Sequence, residues 1–332
     1  MTLLGRNLLT ILDLSSSEVM YLLDLAVRLK QMKKQGEVTD CLKGRNVALL
    51  FEKTSTRTRC AFEIAVSDLG GNAMYLGPGD TQLGHKESFK DSARVFGRMF
   101  DAIEYRGFDH SRIETLARYS GIPVWNGLTD QHHPTQFLAD LMTIREHCKK
   151  PLEQVSIAYL GDARNNVANS LLEGAALMGM DIRMVGPEQL HTDTEILNRC
   201  LAVARKTGAR ISIGTDIEKG VTGADFLYTD VWVSMGEPEE VWKERIEILR
   251  PYRVDARLMS LTGNKDVKFL HCLPAYHDRD TYVGEKIFLD YRLDGVEVTD
   301  EVFESEASIV FDQAENRLHT IKAVMAACLG NM

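Results

Sequence analysis

The sequence predicts an α/β protein: two doubly wound, mainly parallel-sheet domains with the active site in the cleft between them. Three observations predict it. Short apolar runs alternate with helix-period segments along most of the chain. The alternation restarts after Lys149-Lys150-Pro151, which divides residues 1–150 from 151–313. Chemically loaded residues gather where the apolar runs end, at 55–59, 106, 133–136, 162–166, 230–236 and 271–274. Alternating strands and helices form parallel sheets with right-handed crossovers, and such sheets take ligands beyond the carboxyl ends of their strands. One loaded turn would be unremarkable; six in two domains point to one site.

The elements follow in order. Ser15 and Glu18 are spaced as a capping box ahead of Val19, Leu22, Leu23, Leu25, Ala26 and Leu29, so a helix runs to about Gln35 and stops at Gly36. Val47-Ala48-Leu49-Leu50-Phe51 reads as a buried strand. Ala61, Phe62, Ile64, Ala65 and Leu69 mark the next helix. Strands follow at 73–76, 102–105 and 123–126, with helices at 88–99, before Gly121, and from Pro134 to about His147. Pro134 suits a first helical turn. In the second half, strands are expected at 155–160, 182–185, 211–213, 226–229 and 267–270. Helices are expected up to Gly179, at 192–206, from about Pro238 and from about Ala314 to Leu329.

The 332 residues suit two domains, and 44% hydrophobic with 26% charged residues is an ordinary globular mix. A net charge of −9 argues against nonspecific nucleic-acid binding and against acidic membranes. Any anion site must then be a local basic pocket. The six cysteines show no C-x-x-C spacing, and no leader with a small-residue cleavage site opens the chain. Both features predict free thiols in the cytoplasm. No run approaches the ~18 apolar residues of a membrane span. The nine histidines lack H-E-x-x-H spacing, so no metal is expected.

Ser55-Thr56-Arg57-Thr58-Arg59 stands where a strand turns into a helix. Unpaired N–H groups, the positive dipole end, hydroxyls and guanidinium forks together suit a phosphate. The same turn also reads as a solvated, serine-capped helix start. Arg106 and His133, with Gln136 one turn on, extend the cationic set; singly they read as a strand-end arginine and a helix-start histidine. In the second half, Asn166 suits either a carboxylate ligand or a cap. Asp230 suits an ammonium group or a turn. Cys272 is a free thiol of the kind that most often packs as a small hydrophobe. His271, its neighbour on a strand, is expected on the opposite face, which argues against covalent catalysis. Gly161-Asp162-Ala163-Arg164 is not a G-x-G-x-x-G fingerprint, and no Walker A sequence occurs.

Ser55-Thr56-Arg57-Thr58-Arg59 and His133-Pro134-Thr135-Gln136 resemble signatures of the aspartate/ornithine carbamoyltransferase family. Asp230-Val231-Trp232-Val233-Ser234-Met235-Gly236 and His271-Cys272-Leu273-Pro274 are similar to its ornithine branch. The resemblance spans the chain to Gln313-Ala314-Glu315-Asn316-Arg317. It implies a carbamoyl-phosphate domain over 1–150 completed by a terminal helix at 314–332, and an ornithine domain over 151–313. It implies transfer of a carbamoyl group from carbamoyl phosphate to L-ornithine in arginine metabolism, without metal or organic cofactor, in a cytoplasmic homotrimer or assembly of trimers.

On this resemblance Ser55, Thr56, Arg57, Thr58 and Arg106 hold phosphate, with Gln82 lent by a neighbouring subunit from a loop that carries His85 and Lys86. Arg106, His133 and Thr58 face the carbonyl oxygen. Pro134, Thr135 and Gln136, the Cys272 and Leu273 carbonyls, and Arg317 complete the donor site. Asn166, Asp230, Ser234 and Met235 take ornithine, and Asp230 with Cys272 orients its amine. A carbamoyltransferase for putrescine or another amine, and a non-catalytic anion-binding relative, are the alternatives.

Overall fold

The structure is a computed structural model that describes residues 3–233, 237 and 240–330. Ser234, Met235, Gly236 and Pro238 lie outside the described residues. The chain divides into two units, Met1–Met142 with Ala314–Met332, and Thr143–Gln313.

The first unit opens with α1 (Ser16–Lys34). Its capping box forms as the spacing demands: Ser15 Oγ accepts from Glu18 N, and Glu18 Oε2 accepts from Ser15 N at 2.8 Å. Then come β1 (Asn46–Phe51), α2 (Arg57–Asp68), β2 (Asn72–Leu76), α3 (Phe89–Met99), β3 (Ala102–Arg106), α4 (His110–Ser120), β4 (Val124–Leu128) and α5 (Pro134–His147). The sheet order is β2-β1-β3-β4, with parallel neighbours. From β1 the chain goes out to β2 on one side and returns to β3 on the other. The order therefore reverses between β1 and β3, the place where such sheets bind ligands. Ala48, Leu50, Ile103, Tyr105 and Val124 pack against Ile113 and Leu116 of α4. Each large apolar side chain so buried is worth about 1.5–3 kcal/mol.

The register between β3 and β4 shifts at Arg106: Tyr105 faces Asn126, whereas Arg106 faces Leu128. Gly127 is the extra residue. A Cβ there would stand 1.8 Å from Glu104 Oε1 and 3.2 Å from Thr58 Cγ2. Only glycine lets β4 pass, and bulges of this kind aim side chains at strand ends.

The second unit contains β5 (Ser156–Leu160), α6 (Asn166–Leu177), β6 (Asp181–Val185), α7 (Thr194–Thr207), β7 (Arg210–Gly214), α8 (Ile217–Val221), β8 (Phe226–Thr229), α9 (Val241–Leu249), α10 (Ala256–Leu261), β9 (Lys268–His271), α11 (Tyr282–Tyr291) and α12 (Asp300–Phe303). Its sheet order is β7-β6-β5-β8-β9, again with parallel neighbours. The order reverses between β5 and β8. Residues 161–166 follow one of those strands and Asp230 follows the other. Ala158, Leu160, Leu227 and Phe269 face Leu249, Leu258, Val298 and Val310 in this core.

The last helix, α13 (Val310–Leu329), begins four positions before the expected Ala314. Gln313 N already bonds Ile309 O at 3.0 Å, and Asp312 in the first turn suits the positive end of the dipole. The sequence reading also left α8, α10, α11 and α12 unassigned. They are short, and of the large apolar residues of α11 only Ile287 is fully buried, so their periodicity is weak.

Candidate active site

At the switch point of the first unit, Thr56 is the N-cap of α2, yet its side chain makes no capping hydrogen bond. Ser55 Oγ instead accepts from Thr58 N at 3.2 Å. Thr58 is fully buried, and its hydroxyl collects two guanidinium groups. Arg317 Nη2, from α13, donates at 2.6 Å, and Arg106 Nη1, from the end of β3, donates at 3.3 Å. Arg57 is half-buried on the first helical turn. Arg59 departs from the expected cationic set: it lies exposed, bonds Glu63 Oε1 at 2.9 Å and stacks 3.7 Å over the Tyr75 ring.

The segment before this turn is tied down by Glu52, which accepts from Tyr105 Oη and, at 2.6 Å, from Arg112 Nη1. Lys53 pairs with Asp130 and lies over the Phe108 ring.

His133 is 3% exposed, just ahead of α5. Burial, then the nearby Arg317 and Arg106, hold its imidazole well below the ordinary value, so the ring is neutral at pH 7. Thr135 Oγ1 lies 3.4 Å from its Nδ1. Gln136 Nε2 donates to Asp140 Oδ1 at 2.8 Å, which fixes the amide's orientation. Gln136 Oε1 is then left buried, with no hydrogen-bond partner among the described residues, as an acceptor for an N–H donor. Gln82 lies exposed; its carbonyl accepts from His85 N and Lys86 N, and its side chain makes no hydrogen bond among the described residues.

One loaded residue here escaped the sequence reading. Glu104 sits inside β3 with no exposure, and neither carboxyl oxygen has a hydrogen-bond partner among the described residues. Burial pushes its carboxyl well above the usual range, against the pull of Arg106 and Arg317. The signal was a carboxylate in the middle of an otherwise apolar strand.

At the switch point of the second unit the chemistry reverses. The Cys272 thiol donates to Asp230 Oδ1 at 3.1 Å. Asp230 is 8% exposed at the end of β8, and Cys272 follows the adjacent β9. Burial pushes the Asp230 carboxyl up, opposed by His271, the Cys272 thiol and the Val231 N–H.

His271 corrects an expectation. Ligand atoms of Asp230, His271 and Cys272 lie within 4.8 Å of one another, so His271 does not face away from Cys272. Strand alternation ends at His271, because Leu273 takes a left-handed φ of 59° and turns the chain. That conformation costs an L residue about 1–3 kcal/mol. Leu273 N donates to His271 Nδ1 at 2.9 Å and offsets part of it. Nδ1 is thereby an acceptor and Nε2 carries the proton, facing buried Glu297 at 3.3 Å. Gln313 ties the same turn, accepting from His271 N at 3.0 Å and donating to Tyr228 Oη at 3.0 Å. With the Nδ1 lone pair taken by the Leu273 N–H, and Nε2 turned toward Glu297 without a hydrogen bond among the described residues, His271 is no base for Cys272.

Asn166 is resolved by its neighbour: Asn165 is the cap of α6, accepting from Ala168 N at 2.8 Å, and Asn166 is the first helical residue. His277, Asp300 and Glu304 form a second group of clustered ligand atoms that histidine spacing did not reveal. Ser234 and Met235 lie outside the described residues.

Two family models match, in the order of the two units. The model described as "Aspartate/ornithine carbamoyltransferase, carbamoyl-P binding domain" covers residues 6–146, and "Aspartate/ornithine carbamoyltransferase, Asp/Orn binding domain" covers 153–328. The chain belongs to the aspartate/ornithine carbamoyltransferase family. Solved structures agree with this. An ornithine carbamoyltransferase from Pyrococcus furiosus is 41% identical, with a TM-score of 0.90 and coverage of 100% of this chain and 99% of that one. An anabolic ornithine carbamoyltransferase from Campylobacter jejuni is 38% identical (TM-score 0.85; 96% and 97% covered). One from Gloeobacter violaceus is also 38% identical (TM-score 0.82; 99% and 100% covered). In this carbamoyltransferase-family chain, then, cations meet at the end of β1 and β3, and a carboxylate and thiol meet at the end of β8 and β9. Among the described residues, no helix is long and apolar enough to cross a membrane.

Proposed function

We propose that this chain is an ornithine carbamoyltransferase, moving the carbamoyl group of carbamoyl phosphate to the side-chain amine of L-ornithine to give L-citrulline and phosphate. The observation that carries the choice of acceptor is the Cys272–Asp230 pair. A buried carboxylate beside a thiol favours an amine, whereas the second carboxylate of aspartate would be repelled and desolvated there.

Ser55, Thr56, Arg57 and Thr58 take the phosphate at the start of α2, with Arg106 and with Gln82 of a neighbouring subunit. Arg106, neutral His133 and Thr58 donate toward the carbonyl oxygen as it gains charge. Gln136 Oε1 accepts from the carbamoyl NH₂, and Arg317 holds Thr58 in place. Asn166, Ser234 and Met235 take the amino-acid end of ornithine. Asp230 and Cys272 orient the amine. Its nitrogen attacks the carbamoyl carbon, the bond from that carbon to the phosphate oxygen breaks, and the leaving phosphate takes the proton that the amine loses. Positioning and charge stabilisation supply the rate. The same reading carries a cytoplasmic homotrimer, or assembly of trimers, working in arginine metabolism; light scattering of the purified protein tests the assembly.

The function is tested by a colorimetric assay of carbamoylated product with ornithine, putrescine and aspartate at equal concentration. Ornithine should be used faster by about 10²-fold or more, because a missing carboxylate leaves its partners unpaired. Equal or faster use of putrescine or aspartate overturns the assignment. Efficiency should rise from neutral to mildly alkaline pH, since a free alkyl ammonium has a pKa near ~10.4 and only the amine attacks.

A further inference from the structure

Behind His133 lies a group of buried polar side chains that the proposed chemistry does not yet use. β4 ends at Leu128 and α5 begins at Pro134, so the loop 129–133 carries His133 from one to the other. Thr129, at its start, has no exposure, and His132, one position before His133, is also buried. Thr129 N donates to His132 O at 2.9 Å, which closes the loop at its base.

The Thr129 hydroxyl links this loop to β4 and α4. Its Oγ1 accepts from His132 N at 3.2 Å and from Asn126 Nδ2, of β4, at 3.4 Å. It lies 3.0 Å from Nδ1 of His110, the first residue of α4. A hydroxyl has one proton to give and two lone pairs to receive one, which matches this set when the proton goes to His110 Nδ1. The His110 ring packs edge-on against the His132 ring, with centroids 4.7 Å apart and planes at 64°. His132 is therefore held through its backbone by Thr129 and through its ring by His110. Asn126 Nδ2 also donates to Leu9 O at 2.8 Å, which fixes the hydroxyl's neighbour on β4. His133 follows directly. Its carbonyl accepts from Gln136 N at 3.1 Å and from Phe137 N at 3.3 Å, so α5 starts from it. A shift of the His132 peptide moves the imidazole that faces the carbamoyl oxygen in the proposed reaction.

We infer that Thr129, braced by His110, is a positioning residue for His133. The inference rests on the carbamoyl-transfer reading and not on the choice of acceptor. His133 is proposed to act on charge that grows as the reaction proceeds. Misplacing it should therefore lower kcat more than it weakens the binding of either substrate. If the two histidines only fill the core, loss of the hydroxyl lowers stability and leaves kcat unchanged.

The test is steady-state kinetics and thermal unfolding of the full-length protein with Thr129→Val, Thr129→Ser and His110→Phe. The substrates are carbamoyl phosphate and whichever of ornithine, putrescine and aspartate the wild type uses fastest. Valine keeps the shape of threonine and removes the hydroxyl. Thr129→Val should lower kcat about tenfold or more, with both KM values within about twofold of the wild type. Thr129→Ser, which keeps the hydroxyl, should hold kcat within about threefold of the wild type. His110→Phe keeps a ring against His132 and removes Nδ1. It should lower kcat by about threefold, and combined with Thr129→Val it should show less than the product of the two, because they share one bond. A folded Thr129→Val protein with a lowered Tm and a wild-type kcat overturns the inference. So does a serine variant as slow as the valine one, or a loss carried by KM alone. Should Thr129→Val fail to fold, His110→Phe decides, and a wild-type kcat there overturns the inference. Wild-type protein that carbamoylates none of these amines sinks the carbamoyl-transfer reading and this inference with it. Active wild type with unaltered variants sinks the inference alone.

Discussion

The two units build their switch points from the same plan and fill them with opposite chemistry. In the first, β1 and β3 end on Ser55, Thr58 and Arg106, and α13 adds Arg317 to the same hydroxyl. In the second, β5 and β8 end on Asp162 and Asp230, with Cys272 from β9. A parallel sheet supplies a place where loops meet, not a charge. The charge comes from the residues that follow the strands. One unit is therefore suited to a phosphate and the other to an amine, and a net charge of −9 leaves the basic set as a local exception.

The sharpest way to break this contrast is to remove one side. Arg57→Gly should lower kcat/KM by about 10³-fold or more, by removing a charge at the helix start. Carbamoyl phosphate should raise the Tm of the wild type, and the variant should lose that rise. A loss of only a few fold in a folded protein would take the α2 turn out of the chemistry. Asp230→Asn should cost about 10²- to 10³-fold in turnover with ornithine, yet keep the carbamoyl-phosphate shift in Tm. If that shift disappears too, the two halves are not divided by substrate.

The cysteines offer a smaller test. Burial pushes the Cys200 thiol up to about 12 and the Cys328 thiol up to about 11, so both should resist alkylation at pH 8. Cys272 is half-buried beside Asp230. Mass spectrometry should find Cys272 modified, with protection by ornithine. Modification at an equal rate with and without ornithine would separate the thiol from the acceptor.

The smallest effect concerns Glu104. Its folded-state pKa is raised, so between its unfolded and folded values the native state binds the extra proton. Stability falls as pH rises through that window, and the penalty is absent below the unfolded value. Glutamine carries no such penalty. Glu104→Gln should therefore raise Tm by about 2–4 °C at pH 8 and by progressively less toward pH 5. A gain that grows toward acid pH would contradict the direction. His133, whose pKa is lowered, destabilises both proteins alike as pH falls below its unfolded value, so it cancels in the difference.

Strand and helix positions were legible because buried parallel strands are short apolar runs and the flanking helices carry caps. The α1 capping box and β8 with its terminal Asp230 are cases where local pattern and tertiary role agree. α11 was not legible, since a helix that buries little leaves little periodicity. Motif residues were legible as types, but their partners were not. Nothing near Thr58 in sequence announces Arg317 of α13, and nothing near Cys272 announces that Leu273 turns the chain and brings His271 alongside. Asp140, which takes the Gln136 amide, and Arg245, which donates to Asp162, share one reason for being missed. Each acts by holding another residue, and such partners are set by three-dimensional contact rather than by spacing.

The chain passes from one unit to the other twice, and both passages fall inside helices, at residues 142–143 of α5 and 313–314 of α13. Neither unit can be cut out at a loop. A gene fragment for Thr143–Gln313 would begin and end in mid-helix, with the i→i−4 bonds of both cut turns unmade. Mixing separately expressed halves should accordingly give poor reconstitution. A circularly permuted gene with new ends in an exposed loop, such as the one around Gly79, keeps both helices whole and is the better route to a rearranged chain.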